Sequence, residues 1–90
     1  MNKAELIGLV AEKAGLAKKD AELAVNAMLE EIELALVRGE EVKLSGFGGF
    51  TIRDRKPRRG VNPTDGSDIV IPGGKTIVFK PSKLFKERVQ

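Results

Sequence analysis

The sequence has 90 residues, enough for one small domain with little stability to spare, and it contains neither cysteine nor histidine. Without these residues, disulfide bonds, thiolate or imidazole metal sites, and Cys/His or Ser/His catalysis are excluded, so we expect extra stabilisation to come from another chain. The net charge of +3 is unevenly divided: residues 1–41 carry five Lys/Arg and nine Asp/Glu, and residues 42–90 carry eleven and four, so the second half is expected to meet a polyanion.

Two helices are predicted in the first 39 residues. Asn2 and Glu5 can form a capping box, and apolar residues then recur at helical spacing until Gly15, namely Leu6, Ile7, Val10, Ala11 and Ala14. A longer helix follows at about residues 18–38, with an apolar stripe of Ala21, Ala24, Val25, Met28, Leu29, Ile32, Ala35 and Leu36. Three further apolar residues widen this stripe: Leu23, Ala27 and Leu34. We therefore expect the second helix to pack against both the first helix and a second chain.

After Gly39 the apolar period changes to two residues, which is typical of strands. A hairpin is predicted with its turn at residues 46–49 and one apolar face, formed by Val42, Leu44, Phe50 and Ile52. The returning strand is predicted at Lys75–Lys80, where Ile77 and Phe79 share a side. Ser82 is then expected to cap a short C-terminal helix whose apolar positions are Leu84, Phe85 and Val89.

Between Arg53 and Gly74 the hydrophobic signal is weak, and prolines and glycines alternate with basic residues. Strand alternation continues through Arg55, residues 62–66 form a strong turn signal, and residues 69–71 lead back towards the sheet. This pattern predicts a protruding β-ribbon whose outer part is mobile until something binds it, because an isolated two-stranded hairpin is marginal in water.

The first strand of this ribbon, residues 53–59, has five cations and one anion. An extended chain spaces them at about 3.3 Å per residue, so one face can follow a row of phosphates. The alternative interpretation is a solvated charge run that protects an exposed edge from aggregation.

The turn that follows, Gly60-Val61-Asn62-Pro63-Thr64-Asp65-Gly66, resembles the Gly-Arg-Asn-Pro-x-Thr-Gly arm tip of the HU and integration host factor family. The resemblance spans the whole chain and also includes the Met-Asn-Lys-x-Glu-Leu opening, Lys18-Lys19-Asp20, Gly46-Phe47-Gly48-x-Phe50, Ile71-Pro72 and Phe79-Lys80-Pro81-x-Lys83. It implies an α+β fold that forms an intertwined homodimer. Each chain would then be a single HU-like domain at residues 1–90, with a helical dimerisation part at 1–39 and a sheet and C-terminal helix at 40–90. A three-stranded sheet would extend into a DNA-binding arm at about residues 53–74.

The resemblance also implies which residues bind double-stranded DNA. The arm contacts correspond to Arg53, Arg55, Arg58, Arg59, Asn62 and Pro63, and the body contacts correspond to Lys3, Lys80, Lys83 and Lys86. Pro63 would insert between base pairs from the minor groove and kink the duplex, or it would be a simple turn proline. The resemblance implies that Phe47, Phe50 and Phe79 lie in the dimer core. They fall on the apolar side of the strand alternation, which favours core packing over stacking on bases.

The implied function is that of a histone-like, nucleoid-associated protein that bends and compacts duplex DNA largely without sequence specificity. The alternative is a site-specific architectural subunit of the integration host factor type. Phosphate and minor-groove contacts carry little base information, which favours sequence tolerance.

Several residues depart from the family pattern. Val61 replaces the usual arginine, and Asp65 and Asp68 add negative charge near the tip, so we expect weaker affinity with the same mode of binding. Ala17 replaces the usual serine cap of the second helix, which by itself costs about 1 kcal/mol.

Two other functions fit the residues less well. An enzyme with a Walker A loop at Gly73-Gly74-Lys75-Thr76 is rejected because Ile69 stands where the motif requires its first glycine. RNA binding would use the same cations, but the deep groove of A-form RNA disfavours a ribbon, and no exposed aromatic platform is predicted.

We therefore expect no cofactor, no metal and no small-molecule substrate. The absence of a signal-like or membrane-spanning apolar run predicts a cytoplasmic, nucleoid-associated protein that does not bind membranes.

Overall fold

The computed structural model describes all 90 residues and contains three helices and five strands. In chain order these are α1 (Lys3–Ala14), α2 (Lys18–Val37), β1 (Val42–Leu44), β2 (Gly48–Arg55), β3 (Arg58–Val61), β4 (Asp68–Ile71), β5 (Gly74–Pro81) and α3 (Lys83–Val89). The α+β class and the order of elements predicted from the sequence are confirmed. None of the helices is long and apolar enough to span a membrane.

The chain forms two compact units, Met1–Ala35 and Leu36–Gln90. In the first unit the predicted N-cap of α1 is present: the Asn2 side chain accepts the amide of Glu5 at 2.9 Å, which is one of the two hydrogen bonds of a capping box. The helix ends at Gly15, whose φ of 69° lies in the left-handed region that glycine adopts without strain.

The core of this helical unit is small. Ile7, Ala21 and Val25 are buried, and three partly covered neighbours pack against them, namely Val10, Ala11 and Leu29. Leu23 and Met28, which belong to the wide apolar stripe predicted for α2, are 61% and 53% exposed. A single chain therefore leaves a substantial apolar surface of α2 uncovered.

The second unit contains an antiparallel sheet with the strand order β1-β2-β5. In the hairpin, Val42 pairs with Phe50. The returning strand β5 pairs with β2 along its length, from Pro81 opposite Gly48 to Gly74 opposite Arg55. The predicted hairpin is confirmed, but its turn lies at residues 45–47 instead of 46–49, because Gly48 and Gly49 already pair in β2. The return strand is also confirmed and is one residue longer at each end than predicted.

Four phenylalanines of the second unit pack together. Phe79 lies 4.9 Å from Phe50 and 5.4 Å from Phe47 between ring centroids, and Phe85 of α3 stacks on Phe47 at 5.2 Å. Ser82 caps α3 as predicted, since its hydroxyl accepts the amide of Phe85 at 3.2 Å. Phe47 and Phe79 are nevertheless 46% and 37% exposed, so the cluster is only half covered by its own chain.

Candidate nucleic-acid interface

The β-ribbon predicted for residues 53–74 is present and has two paired segments. The pairing of β2 with β5 ends where Arg55 lies opposite Gly74. The pairing of β3 with β4 begins where Arg58 lies opposite Ile71 and ends where Val61 lies opposite Asp68. Two residues intervene on each strand, so the pairing resumes in the same register beyond the break. One continuous arm therefore carries both segments.

The break is caused by prolines and a crowded glycine. In the shared register Pro57 falls opposite Pro72, and neither residue has an N–H to donate to the ladder. At Gly73 a side chain would collide with the carbonyl oxygen of Arg55 and approach the backbone of Pro57. The backbone at the break therefore leaves no room for a side chain at position 73.

The predicted arm arginines all lie on one of the two antiparallel strands of the ribbon, the outgoing one. All four belong to β2 and β3, all are exposed, and their partners on the other strand are uncharged: Arg53 faces Thr76, Arg55 faces Gly74, Arg58 faces Ile71, and Arg59 faces Val70. The chain's two ion pairs, Arg38–Glu40 and Lys43–Glu41, involve none of them. The charge of the arm is therefore available to an external anion.

The opposite strand, β4, is apolar. Ile69 and Ile71 lie over Gly60, where an added side chain would come within 3.6 Å and 3.2 Å of them respectively. Because side chains alternate along a strand, Arg58 shares a face with these isoleucines, and Arg59 shares the other face with Val70. Each face of the outer arm thus combines a cation with aliphatic side chains.

The turn at the end of the arm is closed by a set of hydrogen bonds. The backbone amide of Asn62 donates to the carbonyl of Ser67, and the amide of Gly66 donates to the carbonyl of Asn62, both at 2.8 Å. The Asn62 side chain accepts the amide of Thr64 at 2.9 Å. Pro63, between Asn62 and Thr64, is exposed at the apex.

Asp65 closes the other half of this turn. Its carboxylate accepts the amide of Ser67 at 2.9 Å and the hydroxyl of Ser67 at 2.6 Å. These two hydrogen bonds hold the pKa of Asp65 below its usual value of 3.8, and the bond from the Ser67 hydroxyl has the larger effect. Asp65 is therefore ionised at neutral pH and is already engaged within the tip.

The predicted body cations lie outside the arm. Lys3 is the first residue of α1, Lys80 pairs with Gly49 at the sheet end of β5, and Lys83 and Lys86 lie one turn apart on α3. All four are exposed. The three predicted core phenylalanines form one cluster, in which Phe79 contacts both Phe47 and Phe50.

Sequence reasoning missed several residues that shape the arm. Lys56, at the break, is one of the five cations of residues 53–59 but is not among the predicted contacts. Lys75 lies opposite Asp54 and could have been found by extending the register of the hairpin. The Asp65–Ser67 bond has a recognisable signal, since an aspartate that accepts from the residue two positions later is a common turn device. The crowding at Gly73 has no signal in the sequence. No three His, Cys, Asp or Glu side chains are grouped so that they could hold a metal ion.

Comparison with known proteins gives consistent matches over the full chain. Residues 1–90 match the family described as bacterial DNA-binding protein. The chain is 53% identical over 89 residues to DNA-binding protein HU of Clostridium pasteurianum, covering 99% of this chain and 98% of that protein. It is 49% identical over 90 residues to DNA-binding protein HU of Geobacillus stearothermophilus, with both chains fully covered. Among solved structures, Anabaena HU cocrystallised with DNA matches with a TM-score of 0.89 and 45% identity, covering 99% of this chain and 97% of that one.

Proposed function

The chain belongs to the bacterial DNA-binding protein family, and from that premise we propose that it is a histone-like architectural protein that binds, bends and compacts duplex DNA. The observation that carries this proposal is the arm: four exposed arginines stand on one strand of a ribbon without any anionic partner in the chain. Such a row of cations suits a polyphosphate backbone, and its binding energy comes largely from the release of counterions.

In this proposal the arm lies in the minor groove. Arg53, Arg55, Arg58 and Arg59 contact phosphates and groove edges, while the aliphatic side chains beside Arg58 and Arg59 cover sugar and base surfaces. Asn62 and Pro63 reach the base pairs at the apex, and Pro63 enters a base step as a wedge. Unstacking a step costs on the order of a few kcal/mol, which the contacts of the bent duplex offset.

Four lysines of the body extend the contact beyond the arm. Lys3, Lys80, Lys83 and Lys86 are exposed, and each is free to place an ammonium group against the phosphates of a duplex that bends towards the protein. In this proposal the duplex reaches these lysines by bending, so their contacts favour the deformed state of the DNA.

We propose that the functional unit is a homodimer. The 90-residue chain is poorly stabilised alone, because the core of its helical unit has only three buried residues. It also leaves Leu23 and Met28 exposed and Phe47 and Phe79 half-exposed. A second copy would cover these surfaces, with residues 1–39 as the helical dimerisation part and Phe47, Phe50 and Phe79 in the shared core. Residues 40–90 would supply the sheet and the C-terminal helix, and residues 53–74 the arm.

Binding in this proposal is largely independent of sequence. Phosphate contacts carry no base information, and the minor groove mainly distinguishes A·T from G·C pairs. The site-specific host-factor role is less favoured, since the two curated relatives described above are both named HU. We further propose a cytoplasmic, nucleoid-associated location, and that the chain acts without a cofactor, a membrane or a small-molecule substrate and is not an enzyme.

A bending assay tests the proposal directly. Duplex, nicked and pre-kinked DNA, each labelled at both ends, are titrated with the protein and read by fluorescence energy transfer. We expect all three to bend, with competition by duplex DNA stronger than by duplex RNA or single strands. Preference for single strands, or binding without bending, contradicts the proposal. Footprinting on random and selected DNA separates the two family roles, because strong protection at one site supports the host-factor type.

A further inference from the structure

At the apex of the arm, side-chain hydrogen bonds reinforce the backbone hydrogen bonds of the turn. Residues 61–67 are exposed apart from half-buried Asn62, so the turn is held mainly by its hydrogen bonds. The Asn62 side chain fixes the outgoing half through the amide of Thr64, and the Asp65 carboxylate fixes the return half through Ser67. Pro63 lies inside the first of these turns, and the Asp65–Ser67 turn begins two residues after it.

The Asp65 contribution is stronger than that of a neutral acceptor. A carboxylate that accepts an N–H and an O–H forms charge-assisted hydrogen bonds, which are about twice as strong as neutral ones. The lowered pKa of Asp65 agrees with this geometry. The same charge, however, stands at the end of an arm that must approach phosphates, where it is repelled.

These two properties act on different steps. Geometry at the tip decides how Pro63 meets the base step, whereas charge at the tip decides how strongly the arm is drawn to the duplex. We infer that Asp65 is a positioning residue for DNA bending, which holds Ser67 and thereby orients Pro63, and that its charge also weakens binding. This inference rests on the proposed DNA-bending function. It assigns a role in bending to a residue other than the arm arginines and Pro63.

Two substitutions at Asp65 separate geometry from charge. Asp65→Asn keeps an oxygen acceptor for Ser67 and removes the charge, whereas Asp65→Ala removes both. We expect Asp65→Asn to bind duplex DNA about two- to fivefold more tightly at low salt with an unchanged bend. Asp65→Ala is expected to give a clearly smaller bend at saturating protein, together with faster exchange of the Ser67 amide in the free protein.

Asp68 provides the matched control. It lies on the same arm opposite Val61 and takes part in neither of the chain's ion pairs nor in the hydrogen bonds of the tip side chains. Asp68→Asn and Asp68→Ala should therefore tighten binding equally and leave the bend unchanged.

The outcomes distinguish this inference from the proposed function. If wild-type protein bends DNA and Asp65→Ala bends it equally, the positioning role is wrong while the proposed function stands. If Asp65→Asn binds no more tightly than wild type, the charge effect is wrong. If the wild-type protein does not bend DNA, the proposed function itself fails.

Discussion

The carbonyl oxygen of Arg55 occupies the space that a side chain at Gly73 would need. This contact lies at the break between the two paired segments of the arm, where the pairing of β2 with β5 ends. A side chain at Gly73 would force the backbone to shift just before the outer segment, residues 58–71, begins.

Gly73→Ala is therefore expected to force the strands apart at the break. Overpacking of this kind typically costs about 1–3 kcal/mol, and in a marginal ribbon it lowers the population of the paired outer arm. DNA affinity should fall by about fivefold or more, with little change in the melting temperature of the whole protein. Gly74→Ala is the control, because its nearest neighbour, the Arg55 guanidinium, is 3.9 Å away. Equal affinities of the two variants would show that the crowding has no effect on the arm.

The arm arginines should be visible in the salt dependence of binding. Arg55→Ala or Arg58→Ala is expected to flatten the slope of log affinity against log salt by about 0.9 for each phosphate that the variant no longer neutralises. The slope is measured by titrating labelled duplex at several salt concentrations. Lys13→Ala removes the same charge from the last turn of α1 and should leave the slope nearly unchanged. An unaltered slope in both arginine variants argues against their binding to phosphates.

Pro63 should control bending more than affinity. Pro63→Ala keeps the arginines and the Asn62 and Asp65 bonds of the tip but removes the rigid ring that replaces stacking contacts. We expect the energy-transfer signal of bent, end-labelled DNA to drop at saturating protein, while affinity falls less than in the arginine variants. A variant that bends DNA as fully as wild type rejects the wedge.

The sequence predicted most of the fold because its signals were local. The period of α1 and α2, the caps at Asn2 and Ser82, and the alternation of β2 and β5 all depend on neighbouring residues, and the structure reproduces them. The resemblance at the tip supplied the candidate site.

What the sequence did not predict depends on contacts between distant residues. The opposition of Pro57 and Pro72, which interrupts the arm, requires the register of the two strands. The stacking of Phe85 on Phe47 requires the placement of α3 against the turn between β1 and β2. Asp65 was expected only to add unfavourable charge, and its hydrogen bonds to Ser67 became evident from the geometry of the turn.

The homodimer proposal predicts that folding and association are coupled. The melting temperature should rise with protein concentration, since only the folded state associates. Phe47→Ala is expected to destabilise the protein by about 3–5 kcal/mol, as at a fully buried ring, although Phe47 is 46% exposed in one chain. Val70→Ala, at a residue 69% exposed on the arm, should change the melting temperature little. Sedimentation of a folded monomer at micromolar concentration would contradict the dimer.

The start of α2 offers a substitution that should stabilise the protein. The carbonyl of Ala17 accepts the amide of Ala21 at 3.0 Å, so Ala17 is the N-cap of α2, yet its methyl group cannot accept a hydrogen bond. Ala17→Ser supplies that acceptor and should add about 1 kcal/mol of stability, seen as a rise of several degrees in melting temperature. Asn2→Ala removes the cap that α1 already has and should lower stability by a similar amount. Because Ala17 lies outside the arm and is not among the proposed DNA contacts, Ala17→Ser should leave the bend of bound DNA unchanged.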